Sequence, residues 1–207
     1  MSRPPGRRNR DYEERRETMA RAALHALLDA NGGPAAGREL ARAAGASASV
    51  MQHYFGDRDG MVLAALAVAR ADGEVYLAAA RDPGKLGLDD GVRAWLASLH
   101  QGWRYGLGRL QAAGLVHGLS HPTFGPAYVQ ELLEPTLQAV EARLAVHQSR
   151  GELRADADLR LATLQLVSPA LLALLHQGEL GGARCRPLDL DAFLRAHADA
   201  WLRAWSA

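Results

Sequence analysis

Alanine and leucine recur at intervals of three and four residues along almost the whole chain, whereas strict alternation of apolar and polar residues is rare. The first spacing places apolar side chains on one face of an α-helix, and alternation is what a half-buried strand would need. The pattern therefore predicts an all-α protein, in which glycine and proline separate the helices. We expect helices over residues 12–30, 58–80, 88–104, 108–118, 124–149, 157–178 and 189–205, and two short helices between residues 36 and 55.

The two short helices flank the turn 44–47, which reads Ala-Gly-Ala-Ser. Gly45 allows the left-handed backbone of a tight turn, and Ser47 can cap the second helix with its hydroxyl group. Met51 and Phe55 follow at helical spacing and would bury one side of that helix. The opposite side is then exposed and could lie in the major groove of DNA. It carries Ala48, Ser49, Gln52 and His53.

The residues around this turn form a longer pattern. In order, its segments are Leu40-Ala41, Ala44-Gly45-Ala46-Ser47, Met51-Gln52-His53-Tyr54-Phe55 and Arg58-Asp59-Gly60-Met61. In order, spacing and N-terminal placement, residues 17–66 resemble the DNA-binding domain of TetR-type transcriptional regulators. The chain departs from that family at Ala48 and Ser49, which replace a basic residue and glycine, and at Gln52, which replaces tyrosine.

The resemblance implies the domain organisation. It implies an all-α fold with an N-terminal three-helix helix-turn-helix DNA-binding domain and a C-terminal helical domain for ligand binding and dimerisation. Residues 1–11 would form a flexible arginine-rich arm, and residues 12–57 the DNA-binding domain. Residues 58–207 would form the effector-binding and dimerisation domain, with residues 58–80 as the linking helix.

The exposed side of the second short helix supplies the candidate DNA contacts. Gln52 has the donor and acceptor that bind adenine bidentately, and its neighbours could touch phosphates or base edges. Arg38 and Arg58 lie near helix N-termini, where the helix dipole disfavours a cation unless a phosphate is nearby. The alternative for both arginines is a solvated surface charge. The expected DNA-binding residues are Arg38, Ala48, Ser49, Gln52, His53, Tyr54 and Arg58.

The net charge is only +1, from 24 basic and 23 acidic side chains, so overall charge does not indicate a nucleic-acid partner. Locally, the first 21 residues contain seven arginines and four acidic residues, and this segment could enter a minor groove or be a mobile tail. Cys185 is the single cysteine, which excludes an intrachain disulfide and agrees with a cytoplasmic protein. No apolar stretch follows the N-terminal arginines, and polar residues interrupt the most apolar run, 159–175, so we expect neither an export signal nor a membrane span.

Aromatic and polar side chains between residues 95 and 117 lie on helices that, by the resemblance, would surround an effector pocket. Pockets for small organic molecules are mostly apolar with a few polar groups, which is the chemistry of this set. We therefore expect a small apolar or aromatic effector, with core packing as the alternative role of each residue. The expected effector-binding residues are Trp95, Leu99, His100, Trp103, Leu115 and His117.

The last two helices carry more apolar surface than one subunit is expected to cover. Residues 193–205 form an apolar stripe that includes two tryptophans, and the preceding helix is apolar on nearly every side. Packing against a symmetric copy would give a four-helix interface. We therefore expect a homodimer through these two helices, and the resemblance implies the same placement.

The sequence predicts neither a metal site, a cofactor nor a catalytic residue. His117 and His121 have a spacing that suits a metal, but Pro122 follows and no acidic or cysteine partner is near, so a solvated helix end is expected. The chain lacks a Gly-x-Ser-x-Gly elbow, a His-Glu-x-x-His pair and a glycine-rich phosphate loop.

These observations predict a ligand-responsive DNA-binding regulator, a repressor that a small effector releases from double-stranded operator DNA. One alternative is a helical small-molecule-binding protein or enzyme that retains the helical hairpin only as scaffold. Another is a protein-interaction module. Specific, salt-sensitive binding to DNA would separate the regulator from both alternatives.

Overall fold

The computed structural model describes residues 5–29, 37–120 and 122–207, and helices account for nearly all of its regular structure. The helices are α1 (Pro5–Asp29), α2 (Gly37–Ala43), α3 (Ala48–Phe55), α4 (Arg58–Asp72), α5 (Glu74–Arg81), α6 (Leu88–Gly102), α7 (Gly108–Ser120), α8 (Phe124–Tyr128), α9 (Glu134–Ser149), α10 (Leu159–Leu174), α11 (Gly182–Cys185) and α12 (Leu190–Trp205). Three short segments continue α6, α8 and α10. They are the kinked segment π1 (Trp103–Leu107) and the π-helical turns π2 (Val129–Leu133) and π3 (Leu175–Glu179). The predicted all-α fold is confirmed.

The first helix begins earlier than the sequence pattern predicted. It starts at Pro5 rather than Tyr12, so residues 5–11 of the predicted flexible arm are helical, and residues 1–4 lie outside the described residues. Proline suits the first helical position because its fixed φ is already helical and its missing N–H would have no partner there. Residue 30, the predicted end of this helix, also lies outside the described residues.

The predicted linking helix over residues 58–80 is two helices in the structure. Gly73 separates α4 from α5, and its N–H still donates to the carbonyl of Ala69 at 3.0 Å. Glycine is about 1 kcal/mol less favourable than alanine inside a helix, which makes it the weak position of this segment. The break predicted between residues 104 and 108 corresponds to a kink in π1, where Gly106 has a φ of 114°.

The chain forms two compact units, which divide it differently from the predicted domains. The first unit contains the described residues up to Gly73 together with Ala113–Leu132, and the second contains Glu74–Ala112 and Leu133–Ala207. The short helix α11, within the loop expected before the last helix, was not predicted.

In the first unit, α1 packs against α4 through buried positions at helical spacing. Arg21, near the middle of α1, also donates hydrogen bonds to Asp72 at the end of α4 and to Glu17 on its own helix. The buried side chains of these two helices include Met19, Ala23, Leu27, Met61, Val62, Ala65 and Leu66.

In the same unit, the part of α7 from Ala113 onwards crosses α8 closely, because glycine residues line the crossing. A methyl group on Gly114 would lie 2.2 Å from two ring carbons of Tyr128. A methyl group on Gly118 would lie 3.3 Å from the Cα of Gly125. Tyr128 is 3% exposed, and burial raises the pKa of its hydroxyl group to about 12. Because Gly114 and Gly118 have no side chains, α7 can pack against α8 more closely than a methyl group at either position would allow.

In the second unit, α6, α9, α10 and α12 enclose one large apolar core. Two side chains of α12 donate to α10 carbonyls: Trp201 Nε1 to Ala162 at 2.9 Å, and His197 Nε2 to Leu166 at 2.8 Å. The core includes Val92, Trp95, Leu96, Leu137, Val140, Leu144, Leu166, Val167, Leu194, Trp201 and Leu202.

Arg143 on α9 lies buried at the C-terminal end of α5. Its guanidinium group donates to the carbonyl oxygens of Ala79, Ala80 and Asp82 at 3.0–3.3 Å. Burial lowers the pKa of Arg143, and the Asp82 carboxylate opposes that change. A cation at this position satisfies carbonyl groups that the end of a helix leaves without intrahelical partners.

The apolar stripe of the last helix is used differently from the prediction. Leu194, Ala198, Trp201 and Leu202 are buried in the core of their own unit. A helix pattern shows which face is apolar, but the same face can be covered by the chain itself or by a second copy.

The segment Leu159–Glu179 is long and apolar enough to span a membrane by length and composition. Ala162, Leu166 and Ala170 on this segment are at most 1% exposed and belong to the core of the second unit. Core packing therefore accounts for the apolar side of this helix.

Candidate functional site

The turn between α2 and α3 has the geometry that its sequence predicted. Gly45 has a φ of 61°, and its N–H donates to the carbonyl of Arg42 at 3.0 Å. The N–H of Ala46 donates to the carbonyl of Ala41 at 2.9 Å. These two bonds and the left-handed glycine form a Schellman motif, which ends α2 and sets the direction in which the chain enters α3.

Ser47 caps α3 as predicted. Its Oγ accepts a hydrogen bond from the N–H of Val50 at 3.3 Å. The Oγ of Ser49 lies 2.9 Å from the same oxygen, so the two hydroxyl groups share a hydrogen bond. Ser49 remains exposed and is part of the cap as well as a candidate DNA contact.

The buried side of α3 and the corner after it fix the orientation of this helix. Met51 and Phe55 are 5% and 9% exposed, which confirms the predicted buried side. Asp57 caps α4 by accepting a hydrogen bond from Gly60 at 2.8 Å. A methyl group on Gly60 would lie 2.0 Å from the carbonyl oxygen of Phe55, so only glycine fits where α4 passes the end of α3.

The opposite side of α3 is exposed, as the spacing of its apolar residues predicted. Ala48, Ser49, Gln52 and His53 are all exposed, and Tyr54 is half-buried. This helix thus presents an amide, a hydroxyl and an imidazole group at the surface of the first unit. Their roles in DNA binding stay a prediction.

Arg38 and Arg58 lie at the beginnings of α2 and α4, and these two helix ends adjoin. A methyl group on Gly37 would lie 3.7 Å from Cβ of Arg58. Arg38 is exposed, and Arg58 lies 3.7 Å from the carboxylate of Asp59. The neighbouring acid offsets part of the positive charge of Arg58, a feature that the sequence interpretation did not weigh.

The sequence interpretation also missed an aromatic cluster between α1 and α3. The ring of Tyr12 stacks on that of Tyr54, with centroids 4.5 Å apart and planes inclined by 19°. The same ring meets His53 edge-on at 5.9 Å and 87°. One turn later, the guanidinium group of Arg16 lies 5.4 Å above the ring centre of Phe55. Pairings between such distant positions leave no periodic signal in a single sequence.

Four of the six predicted effector-binding residues lie in the second unit. Trp95 belongs to its large core, and Leu99 packs against both that core and a smaller apolar cluster. His100 Nδ1 lies 3.1 Å from a carboxylate oxygen of Asp191. Trp103 is buried at the start of π1, in the smaller cluster. These side chains therefore all take part in packing or hydrogen bonding within the unit.

Trp103 occupies a closely packed position beside a carboxylate. Its Nε1 donates to Glu179 at 3.2 Å. A methyl group on Gly108 would lie 2.3 Å from this nitrogen, and one on Gly178 would lie 3.0 Å from it. The kinked segment π1 and the segment π3 thus meet at the indole.

The remaining two predicted effector-binding residues, Leu115 and His117, lie in the first unit. Leu115 is partly exposed, whereas His117 is 2% exposed with its ring 5.1 Å from that of Phe124. Burial lowers the pKa of His117, and the charge of Arg58 lowers it further. The expectation of a solvated helix end is therefore wrong for His117, because α8 folds back against this end of α7.

Among residues 5–29, 37–120 and 122–207, no group of three or more histidine, cysteine or acidic side chains could hold a metal ion. Cys185 is exposed and unpaired in this part of the chain. His121, the other histidine of the considered pair, lies outside the described residues.

Comparison with protein families gives a match over half of the chain. Residues 82–188 match the family described as tetracyclin repressor-like, C-terminal domain. The comparison with curated protein sequences gave no match.

Several solved structures are similar over almost their whole length. A protein from Mesorhizobium loti MAFF303099, assigned to the TetR-family transcriptional regulators, has a TM-score of 0.75 and 16% identity, with 95% of this chain and 98% of that chain covered. GusR of Salmonella enterica has a TM-score of 0.69 and 19% identity over 92% and 96% of the two chains. The fatty acid degradation regulator FadR of Bacillus halodurans has a TM-score of 0.64 and 14% identity over 98% and 97%. At these identities the likeness concerns the fold.

Proposed function

Because the chain belongs to the TetR family of transcriptional regulators, we propose that it is a homodimeric repressor that a small apolar or aromatic effector releases from operator DNA. As a member of this family it is a DNA-binding regulator and not an enzyme. Operator DNA, the effector and a second copy of the chain are its proposed partners, and the cytoplasm is its proposed location.

The observation that carries the proposal is the exposed polar side of α3. The helix is capped by Ser47 and held by two buried side chains, so its exposed side has a fixed orientation. Such a helix can enter the major groove, where Gln52 would pair with an adenine and the neighbouring side chains would touch phosphates or base edges. Arg38 and Arg58 would bind phosphates at the adjoining ends of α2 and α4.

Selection of bound duplexes from random DNA tests the proposal, followed by titration of the selected duplex at two salt concentrations. Gln52→Ala should lose about 1–3 kcal/mol of discrimination at one base pair and leave the other positions unchanged. Gln138→Ala, an exposed glutamine on α9, is the matched control and should bind as the wild type does. Failure of the wild type to enrich any sequence would refute DNA recognition and favour a small-molecule binder or an interaction module.

The two arginines make a separate prediction about salt. Each phosphate that is neutralised steepens the log–log dependence of affinity on salt by about 0.9. Arg38→Gln and Arg58→Gln should each flatten that slope by about this amount without changing the preferred sequence. Arg104→Gln, at an exposed position of the second unit, should leave the slope unchanged.

We propose that residues of the second unit already named from the sequence contact the effector. They are Trp95, Leu99, His100 and Trp103. The indole of Trp103 lies beside the Glu179 carboxylate, and π1 supplies a kinked backbone there. Apolar surface with a few polar groups suits an apolar or aromatic ligand. For Leu115 and His117, which lie in the first unit, a contact with the effector stays a prediction from the sequence.

A panel of small apolar and aromatic compounds tests this assignment by thermal shift and by quenching of tryptophan fluorescence. Saturable quenching that Trp103→Phe abolishes would support it. Trp205→Phe is the control, because this partly exposed tryptophan bonds to Gln165 on α10 and lies outside the proposed effector contacts. Saturable binding that Trp103→Phe leaves unchanged would contradict the assigned position.

For the dimer we propose the exposed sides of α10 and α12. Leu161, Leu164 and Leu172 on α10 are 47%, 36% and 65% exposed after the core has formed. Along α12 the exposed positions include alanines at intervals of four, which allow close approach of another helix. These alanines are Ala192, Ala196, Ala200 and Ala204. Two copies related by a twofold axis would bury both surfaces.

Light scattering coupled to size-exclusion chromatography tests the dimer. Leu172→Glu should shift the chain from dimer to monomer, because it would place two charges inside the proposed interface. Leu119→Glu introduces the same charge at a leucine that is 88% exposed on α7 and should leave the dimer intact. A monomeric wild type would contradict the proposal directly.

Release from DNA would then depend on the distance between the α3 helices of the two subunits. Half-sites one turn apart require about 34–36 Å between them. An effector that binds more tightly to a dimer with another spacing shifts the population away from the DNA-bound form. Comparing effector affinity in the presence and absence of operator DNA measures that difference.

A further inference from the structure

Tyr12 on α1 contacts two of the side chains that the proposed function assigns to DNA binding. Its ring stacks on Tyr54 at 4.5 Å and meets His53 edge-on at 5.9 Å. The rings of His53 and Tyr54 are themselves 5.2 Å apart at 85°, so the three rings close a triangle. We propose that Tyr12 is a positioning residue for DNA recognition, which acts by holding these two side chains in their binding orientation.

The position of the cluster favours this role over ordinary core packing. His53 is exposed, and Tyr12 and Tyr54 are half-buried, so the cluster lies at the surface of the first unit. Stacked and edge-to-face arrangements at these distances are the preferred geometries of ring pairs. These contacts restrict the rotamers of His53 and Tyr54 in the free protein. Without them, the two side chains would lose their rotamer freedom only on binding DNA. Tyr12 thus orders the side chains of His53 and Tyr54 before DNA binds.

A second contact from the same face of α1 supports the assignment. Arg16 follows Tyr12 by one helical turn, and its guanidinium group lies over the ring of Phe55 at 5.4 Å. The contacts of α1 therefore reach three successive residues at the end of α3. Phe55 is buried and fixes the backbone there, whereas the Tyr12 contacts orient the exposed His53 and the half-buried Tyr54.

The inference rests on the proposed DNA-reading function, and its test begins with the duplex that the wild-type protein selects from random DNA. Tyr12→Leu removes the ring, and Tyr12→Phe keeps the ring and removes the hydroxyl group. Leu27→Ala is the matched stability control, because Leu27 is a buried residue of the same helix. The melting temperature of each variant is measured first. Affinity for the selected duplex is then measured at a temperature well below the melting temperature of every variant.

We expect Tyr12→Leu to weaken binding about tenfold, which corresponds to about 1.4 kcal/mol, since His53 and Tyr54 would then have to be ordered on binding. Tyr12→Phe should bind within about twofold of the wild type, because it retains both ring contacts. Leu27→Ala should lower the melting temperature without this loss of affinity. In a His53→Ala/Tyr54→Ala background, Tyr12→Leu should have no further effect on affinity.

The other outcomes overturn the inference in distinguishable ways. If the wild type selects no sequence, the proposed function fails and the inference fails with it. If the wild type selects a sequence and Tyr12→Leu binds it equally well, only the positioning role fails. An equal loss in Tyr12→Phe would show that the hydroxyl group itself contacts DNA. An equal loss in the double-alanine background would show that Tyr12 acts by another route.

Discussion

Replacing Gly114 by alanine tests the close crossing of α7 and α8. The added methyl group would lie 2.2 Å from Cδ2 and Cε2 of Tyr128 and 2.9 Å from its Cγ. Because Tyr128 is 3% exposed, its ring has little space into which it could move. We expect the helices to separate or the ring to leave its preferred rotamer.

The expected size of the effect is the difference between two opposing contributions. Overpacking a core typically costs about 1–3 kcal/mol, and a contact this short with a rigid ring favours the upper end. Alanine in place of glycine stabilises a helix by about 1 kcal/mol. The net loss is then about 2 kcal/mol, which lowers the melting temperature of a chain of this length by about 4–8 °C.

Thermal unfolding followed by circular dichroism measures this loss. Gly102→Ala is the control, because a methyl group there would lie 3.8 Å from Leu107 Cδ2, an ordinary contact distance. That variant should be neutral or gain up to about 1 kcal/mol. A gain of stability in Gly114→Ala like that of the control would show that the crossing tolerates a methyl group, contrary to this prediction. An equal loss from Gly114→Ala in a Tyr128→Leu background, where the ring is absent, would also contradict it.

Three further predictions concern the helix cap and two titrating groups. Ser47→Ala removes the cap of α3 and should lower stability by about 1 kcal/mol and the melting temperature by about 2–4 °C. Ser98→Ala, at an exposed position inside α6, should not have this effect. Equal effects of the two variants would contradict the role of the cap. Folding raises the pKa of Tyr128 from 10 to about 12, so the contribution of Tyr128 to stability should be constant below pH 10 and fall as the pH rises towards 12, a fall that Tyr128→Phe should remove. The hydrogen bond from His147 lowers the pKa of Glu152 below 4.5, so its contribution should be present above pH 4.5 and be lost as the pH falls further. Below pH 4.5, the melting temperature of Glu152→Gln should therefore change less with pH than that of the wild type. An equal change in both proteins would refute the assignment.

The geometry of the helical hairpin could be predicted in detail because its determinants are local. Gly45 adopts the left-handed backbone that its turn required, and Ser47 caps the helix that it precedes. Met51 and Phe55 are buried because they share one side of a short helix. Each feature depends on residues within about one or two turns, so periodicity and capping preferences were sufficient.

Helix boundaries were less predictable where local preferences are nearly balanced. The apolar pattern continues past Gly73, but the glycine still separates α4 from α5. The polar segment before Tyr12 has no apolar face, but it is helical from Pro5. A pattern of apolar positions does not report backbone preferences of this kind, which are small for each residue.

Local signals were enough to predict the helical class, the hairpin and the side of α3 that faces outward, since neighbours along the chain decide each of them. Which surfaces meet depended on the packing of the folded chain. This packing placed Tyr12 against Tyr54, Tyr128 against Gly114, and the apolar side of α12 inside its own unit. The physical reason is that burial of apolar surface has no direction, so a periodic pattern identifies a face to be covered without identifying the partner that covers it.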